Sequence, residues 1–528
     1  MKRWNGWGDV NTDYPVPDSA RFYLVNLFGS LDPQPDAAFE SVLKSVPDSR
    51  LPAHPLVDVS AEVRLTRSRG QSLPDWVALR SGRLPAFPDG VAFPVSEDQV
   101  CDLLAYAKRT GAIVIPYGGG TSVVGHINAP KSDAPVLTLS LEKMTRLLDL
   151  DETSRIANFE AGVSGPELER ALHQRGCTLG HFPQSHEYST LGGWIATRSS
   201  GQQSYYYGRI EQLFAGGRME TPHGTLELPH FPASAAGLDI REMVLGSEGR
   251  MGVITSARVR VSPVPEAEAF YGVFFPSWEQ GTDAVRQIAQ ERTPVSMLRL
   301  SNPVETETTL ILSGKSWVPG ATKGLSLIGY GSARSLLVFG VTGTSAHVRR
   351  TRAQVSAICR RHGGLFVGKA VGHTWEKARF YAPYLRNTLW EVGVAVDTLE
   401  TALPWSQVPE ASQAIPASIS AAMEALDEKV HVFAHLSHVY RDGASIYTTF
   451  LFRRPKDPDE LLVRWQAMKD AASQTIHKFG GTITHQHGIG TDHAPYLPAE
   501  KGALGMDAMR AACKSFDPDG MMNPGKLF

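Results

Sequence analysis

The chain has 528 residues, 42% of them hydrophobic and 20% charged, with a formal net charge of −2. That length requires two or three domains with sizeable cores, and the near-neutral balance offers no electrostatic footprint for nucleic acid. The four cysteines (Cys101, Cys177, Cys359, Cys513) include no C-x-x-C pair, which argues against a disulfide framework or a structural zinc and makes a reducing compartment the expectation.

Residues 1–87 are rich in Pro, Asp and Ser, with amphipathic patches such as residues 39–46, and read as a helical, loop-rich leader packed on another unit. Their start lacks the apolar stretch of a signal peptide, and no run of about 18 apolar residues offers a membrane span. The final Gly525-Lys526-Leu527-Phe528 is not a peroxisomal address of the Ser-Lys-Leu type, so a cytoplasmic protein is expected. Trp4-Asn5-Gly6-Trp7-Gly8 is unusual in composition, and two tryptophans anchoring the N-terminus is its plainest account.

From Pro88 the texture turns α/β. Ser96 caps a helix, Gln99 completes a capping box, Val100, Leu103, Leu104 and Ala107 make one apolar stripe, and Gly111 ends it. The apolar run Ala112-Ile113-Val114-Ile115 reads as a buried strand leading into Pro116-Tyr117-Gly118-Gly119-Gly120-Thr121-Ser122. Glycines tolerate positive φ and close backbone approach, so successive N–H groups with the hydroxyls of Thr121 and Ser122 suit a pyrophosphate. Three glycines alone read first as an ordinary turn. The following Val123 to Pro130 is too broken by Gly and Pro for a helix, and no Gly-Lys-Ser/Thr closes the loop, so this is neither a Rossmann fingerprint nor a Walker A loop.

Strands are expected over 136–141 and 155–160, and Ser164-Gly165-Pro166-Glu167 caps a second helix that Gly176 stops. Residues 96–122 and 164–189 thus share an order of capped helix, glycine, strand and Gly/Pro/Ser loop, which predicts two similar subdomains facing one ligand. A second loop runs from Gly180 through Gly192-Gly193-Trp194 to Gly201, and a third, Gly246 to Thr255, precedes a strand over 257–261.

Three glycine/serine segments in this order, ending in Gly246-Ser247-Glu248-Gly249-Arg250-Met251-Gly252-Val253-Ile254, resemble the FAD contacts of the FAD-linked oxidase superfamily of vanillyl-alcohol oxidase and p-cresol methylhydroxylase. The resemblance implies an α+β protein: a leader (1–87), a two-subdomain FAD-binding domain (88–265), an antiparallel-sheet cap (266–480) with helices on one face, and a C-terminal segment (481–528) returning to the FAD site. It assigns FAD binding to Pro116, Tyr117, Gly118, Gly119, Gly120, Thr121 and Ser122, and to Pro183, Gln184, Ser185, His186, Glu187, Tyr188 and Ser189. It adds Thr197, Arg198, Ser199 and Ser200, then Glu248, Gly249, Arg250, Met251, Gly252, Val253 and Ile254. Attachment of FAD is expected to be non-covalent, since no cysteine lies in these loops, although His126 and His181 lie near them.

Further motifs narrow the resemblance to the alkyldihydroxyacetonephosphate synthase family: Trp4 to Gly8, Ala382-Pro383-Tyr384-Leu385-Arg386, Leu399-Glu400-Thr401-Ala402, Gly443-Ala444-Ser445-Ile446-Tyr447 and His485-Gln486-His487-Gly488. That family uses FAD without net oxidation, exchanging the acyl chain of acyl-dihydroxyacetone phosphate for a long-chain fatty alcohol through a flavin N5 adduct. The resemblance makes Arg386 the substrate-binding arginine and Tyr447 the catalytic tyrosine, its phenol pKa lowered by nearby cations. On their own these two residues read equally as a solvated helix arginine and a packed strand tyrosine.

His485 and His487 share a strand face with Ile483 and are expected to converge on the same catalytic site. Gln486 replaces the middle of the family's three histidines, and by alternation it is expected to point to the opposite face. His435 and His438 are candidates for the same cavity. The runner-up, an FAD-linked D-2-hydroxy-acid dehydrogenase, needs metal ligands where Tyr447 and Gln486 stand, so no metal site is expected. A flavin-binding protein without catalysis is disfavoured by Arg386, Tyr447 and the histidine pair together. Lipid substrates imply some membrane encounter, which leaves a peripheral membrane contact and a homodimer open.

Overall fold

The computed structural model describes residues 2–312 and 318–528. The helix Glu97–Thr110 begins where Ser96 Oγ accepts the Gln99 N–H at 3.3 Å and ends at Gly111, in left-handed backbone at φ 65°. One cap bond differs from expectation, because Gln99 Oε1 accepts from Val95 N–H at 2.9 Å, a residue ahead of the cap. The apolar stripe joins a single cluster with Leu137 and Leu139 of one sheet and Phe159 and Ala257 of another, so this helix is sandwiched between two sheets.

The first sheet is small and mixed. Ile113–Tyr117 and Gly90–Ala92 lie parallel on either side of Val136–Ser140, and Val57–Asp58 of the leader adds an antiparallel edge. The second has five antiparallel strands in the order Leu147–Asp151, Ile156–Glu160, Val253–Arg260, Phe214–Thr221, Gly224–Leu228. The two subdomains are therefore not alike, contrary to the expectation from their shared motif order. After the helix Gly165–His173 the strand Cys177–Thr178 lasts two residues and pairs only with Ser262–Pro263. Gly180 and Pro183 break the chain into turns there, so it cannot extend into the main sheet.

The cap is built on a seven-stranded antiparallel sheet in the order Leu365–Gly368, Ala267–Phe275, Ser335–Gly343, Met297–Ser301, Val430–Val439, Gly443–Arg453, Val394–Pro404. The helices Trp278–Gln290, Ser345–Arg361, Val408–Glu424 and Pro458–Lys478 bury one face. Helices were expected on that face alone, yet Val371 and Trp375 of the helix Lys369–Ala378 pack on Phe270 and Phe274 from the other. A second helical layer is needed because that face too is apolar near its edge.

Leader and tail tie the halves together. Leu24 and Phe28 of the helix Asp18–Phe28 bury against Leu389, Val394 and Leu451 of the cap, each contributing about 1.5–3 kcal/mol. The C-terminal residues return to the first sheet, where Val114 N–H donates to Met521 O at 2.9 Å and Asn523 N–H to Val114 O at 2.8 Å.

Candidate functional site

One cavity of about 1000 Å³ runs from the first glycine loop, across the boundary between the halves, to the inner face of the cap sheet. That volume is at the top of the range for a single small ligand, leaving room for a dinucleotide and a second molecule. Pro116 to Ser122 all line it. A Cβ added at Gly118 would stand 2.3 Å from Thr190 Oγ1, and one at Gly119 only 1.7 Å from Tyr188 O. The second loop thus packs directly on the bare backbone of the first. Among the described residues, the N–H groups of 118–122 find no acceptor in the chain. A row of free donors turning through Gly120, at φ 74°, fits a pyrophosphate. The Ser122 hydroxyl is already engaged, accepting the His126 N–H at 3.1 Å and lying 2.8 Å from His126 Nδ1.

From the second loop Pro183, Gln184, Ser185, Ser189, Thr197, Ser199 and Ser200 line the cavity, whereas His186, Glu187, Tyr188 and Arg198 stand outside its wall. His186 stacks on Phe380 with ring centres 5.4 Å apart, and burial and then Arg379 push its pKa down to about 4. Tyr188 pairs its hydroxyl with that of Tyr384 at 3.2 Å, and Arg198 turns out to Glu242 at 2.7 Å. From the third segment Glu248, Gly249, Gly252 and Ile254 line the cavity, while Met251 and Val253 belong to the core and Arg250 donates to Met522 O at 2.5 Å. The Glu248 carboxylate accepts the N–H groups of Ile489 at 2.6 Å and Gly490 at 2.8 Å, so it fastens the tail to this domain.

Arg386, on the helix Ala382–Glu391, lies half-buried over the ring of Trp76, 4.5 Å from its centre, and donates through Nη1 to Gln71 O. Among the described residues its Nε and Nη2 are buried without any acceptor, and burial pushes its pKa down. An unpaired buried guanidinium is costly, so the arrangement fits an anion. On Gly443–Arg453, Ile446, Phe450 and Phe452 enter the core, while Tyr447, Thr449 and Leu451 face the cavity, as strand alternation requires. The Tyr447 hydroxyl donates to Thr398 Oγ1 at 3.1 Å, its ring stacked 5.0 Å from His435 and edge-on 5.6 Å from His487. Its pKa is raised, first by burial and then by Glu400, not lowered as expected. The nearby positive charge of Arg299 is the weaker influence.

The histidine segment departs further from expectation. Residues 482–487 form a loop, not a strand. Glu400, fully buried, bends it by accepting the N–H groups of Gln486 at 2.6 Å and His487 at 2.9 Å through one oxygen. Gln486 therefore lines the cavity with His487, and His485 is the residue turned behind its wall. There His485 Nε2 lies 2.5 Å from the Tyr440 hydroxyl and 3.0 Å from Arg209 Nη1, with His438 stacked at 4.8 Å. His435 and His438 do line the cavity. Arg299 Nη1 donates to His435 Nε2 at 3.0 Å, which leaves Nδ1–H to donate to Glu305 at 2.9 Å and keeps the ring neutral. Burial pushes Glu305 up, but His435 and Arg299 outweigh it and hold the carboxyl at about 2.

Gln71, Trp76, Arg299, Glu305 and Asp397 also line the cavity and were not singled out from sequence. For Arg299 a signal existed, a lone cation within the apolar strand Met297-Leu298-Arg299-Leu300-Ser301. Beyond Tyr447 the cavity continues as an apolar arm past Met297, Leu336, Val338, Val371, Trp375 and Val318.

Two family signatures match the chain: the FAD binding domain over residues 88–228, and the C-terminal domain of FAD linked oxidases over residues 264–527. A p-cresol methylhydroxylase structure superposes at a TM-score of 0.66 over 89% of this chain and 93% of its own, at 14% identity, a likeness of fold. The protein is an FAD-linked oxidase in architecture, and its cofactor is FAD. Full-length likeness is narrower. An alkyldihydroxyacetonephosphate synthase of Dictyostelium discoideum is 30% identical over 99% of this chain and 93% of its own length. A solved alkyldihydroxyacetonephosphate synthase superposes at a TM-score of 0.84, with 27% identity, over 100% of this chain and 99% of that one. The chain belongs to the alkyldihydroxyacetonephosphate synthase family.

Proposed function

We propose that the protein exchanges the acyl chain of an acyl-dihydroxyacetone phosphate for a long-chain fatty alcohol, releasing the fatty acid and forming the ether without net oxidation. The observation that carries this reading is Arg386. Its two unpaired nitrogens are buried on the cavity that also holds the glycine cradle and the apolar arm, as a phosphate ester with a long chain requires. Pro116 to Ser122 and the second loop would hold FAD non-covalently, and its ring would supply electron-accepting chemistry. Arg386 receives the phosphate or the developing anion through its fixed fork of donors. Tyr447 holds its proton at Oη in the free protein, donating it to Thr398 Oγ1, and moves it during the exchange, with His487 edge-on to its ring. His485 supports this group from behind, keeping His438 and the 482–487 loop in place. The apolar arm takes the acyl or alkyl chain and excludes water from the reacting centre.

No helix among the described residues is long and apolar enough to cross a membrane. We place the meeting with lipid at the surface, where exposed Leu327 and Ile328 lie at the end of the helix Val318–Leu327. Its first residue lines the arm. The test is an oxygen-free incubation of the flavin-loaded protein with palmitoyl-dihydroxyacetone phosphate and labelled hexadecanol, without an electron acceptor. Labelled ether and free palmitate in equal amounts are expected. No ether, with flavin bleaching on a D-2-hydroxy acid, would move the chain to dehydrogenase chemistry.

A further inference from the structure

The Trp4-Asn5-Gly6-Trp7-Gly8 motif takes no part in the chemistry above, yet it is wedged between the two halves of the site. Lys2 bridges to Asp9, and Arg3 N–H donates to Gly8 O at 2.8 Å, closing a small knot. Two glycines let the knot press on the Arg386 helix. A Cβ at Gly6 would stand 2.5 Å from Asn387 Oδ1, and one at Gly8 2.2 Å from the Tyr384 ring. Asn387, the neighbour of Arg386, grips Trp7 on both sides. Its Oδ1 accepts the Trp7 N–H at 3.1 Å and its Nδ2 donates to Trp7 O at 2.9 Å. Thr388 Oγ1 donates to Tyr14 O at 2.8 Å. Three consecutive residues of the cap helix thus serve the site, one facing the cavity and two holding the N-terminal segment.

The knot also reaches the cofactor half. Lys2 Nζ donates to Gly119 O at 2.7 Å, and Gln71 Nε2 donates to Gly6 O at 3.3 Å. Gln71 joins the remaining parts. Its N–H donates to Ser122 O at 2.6 Å, its Oε1 accepts from Trp76 Nε1 at 2.8 Å, and its carbonyl accepts from Arg386. A simple tether for the chain end would need none of these contacts to converge. Apart from the bonds that close the knot and the one from Gln71 to Gly6, each of them ends on the Arg386 helix, on the ring beneath Arg386, or on the glycine loop.

We propose that residues 2–14 and Gln71 form a clasp that fixes Arg386 in register with the glycine loop and so sets the distance between the anion subsite and the cofactor cradle. Asn387 is a positioning residue acting through the helix, and Gln71 acts through Trp76 and its own carbonyl. The inference rests on the reading that Arg386 receives the substrate phosphate.

The test uses the full-length, flavin-loaded protein and three variants: Asn387→Leu, Thr388→Val and, as control, Arg386→Met. Inorganic phosphate is titrated by calorimetry, the KM and kcat for palmitoyl-dihydroxyacetone phosphate are separated, and flavin content is read from absorbance. Asn387→Leu removes three buried hydrogen bonds, two with Trp7 and one accepted from Arg80 Nη2 at 3.3 Å, and the expected result is a rise of about tenfold in phosphate Kd and KM together, with kcat and flavin content held. Thr388→Val should shift both in the same direction by less, and it decides alone if Asn387→Leu does not fold. Phosphate affinity that falls in Arg386→Met but not in the clasp variants overturns the clasp and leaves the role of Arg386 standing. Phosphate affinity indifferent to Arg386→Met overturns the anion subsite and the clasp with it. Flavin lost in parallel with phosphate affinity in both clasp variants would make the segment a general structural strap and also overturn the proposal.

Discussion

The two halves of the cavity are built from different materials. The cofactor half is backbone: free N–H groups at 118–122, and glycines whose missing side chains let Tyr188 O and Thr190 pack directly on the loop. The cap half is side chains, with Arg386, Tyr447, His435, His487 and Arg299 delivered by separate strands, a helix and a loop. A backbone cradle is indifferent to most substitutions but intolerant of any added Cβ. A side-chain pocket tolerates bulk at many positions and loses one function at a time. Deleting single groups should therefore separate the halves cleanly.

Gly119→Val should give the largest effect, since its Cβ would meet the Tyr188 carbonyl and force the two loops apart. A colourless protein without activity is expected, and a fully flavin-loaded one by absorbance would break the comparison at its root. Tyr447→Phe should keep its flavin and its substrate affinity while kcat falls by about 10²–10⁴-fold, the range for losing a proton carrier. Unchanged turnover by product assay would remove Tyr447 from the chemistry. Arg386→Met should keep its flavin and lose about 10²–10³-fold in kcat/KM, as for deletion of one charge-stabilising donor. An apoprotein instead would mean that Arg386 belongs to the cofactor half.

The same contrast explains what was legible in the sequence. The cradle was, because Gly118-Gly119-Gly120 and Gly246 to Gly252 are contiguous signals whose physics is local. Tyr447 was, because period-two alternation with Ile446 and Phe450 fixes its face. The histidine loop was not. Alternation in Ile483-Thr484-His485-Gln486-His487 reads as a strand until Glu400, more than eighty positions earlier, takes the backbone N–H groups that a ladder would need. The unlike subdomains were also hidden, since sheet partners such as Val253–Arg260 for Ile156–Glu160 are chosen by tertiary packing. The raised pKa of Tyr447 depends on burial and on Glu400, which no local pattern reveals.

Acid should act on both halves before it acts on either function. Burial holds His181 and His438 at about 3 and His186 and His431 at about 4 in the folded protein. The unfolded chain protonates such groups near 6.5, so below that pH it binds more protons than the native state and stability falls as pH drops toward 3. Each group contributes about 1.4 kcal/mol per pH unit across its own window. Asp492, pushed up to about 7 by burial, and Glu169, also pushed up by burial, oppose this. Urea midpoints measured from pH 7 to pH 5 should decline. A flat profile would show that these rings are hydrated or charged in the native state.

The smallest effect is expected at Gln486, which takes the middle place of the resemblance's three histidines and lines the cavity. Glu400 grips the N–H of this residue, not its side chain, so Gln486→His leaves the loop's shape intact. Among the described residues the Gln486 Oε1 is buried without a partner, and the side chain lies near His438, whose charged form it favours. A neutral imidazole also offers an acceptor there, its unprotonated nitrogen. Activity in the acyl-exchange assay should change by no more than about threefold, worth roughly 0.7 kcal/mol of barrier. A change of about a hundredfold in either direction would mean that residue 486 touches the reacting atoms, and that this wall of the cap pocket is chemically specific where the contacts make it interchangeable.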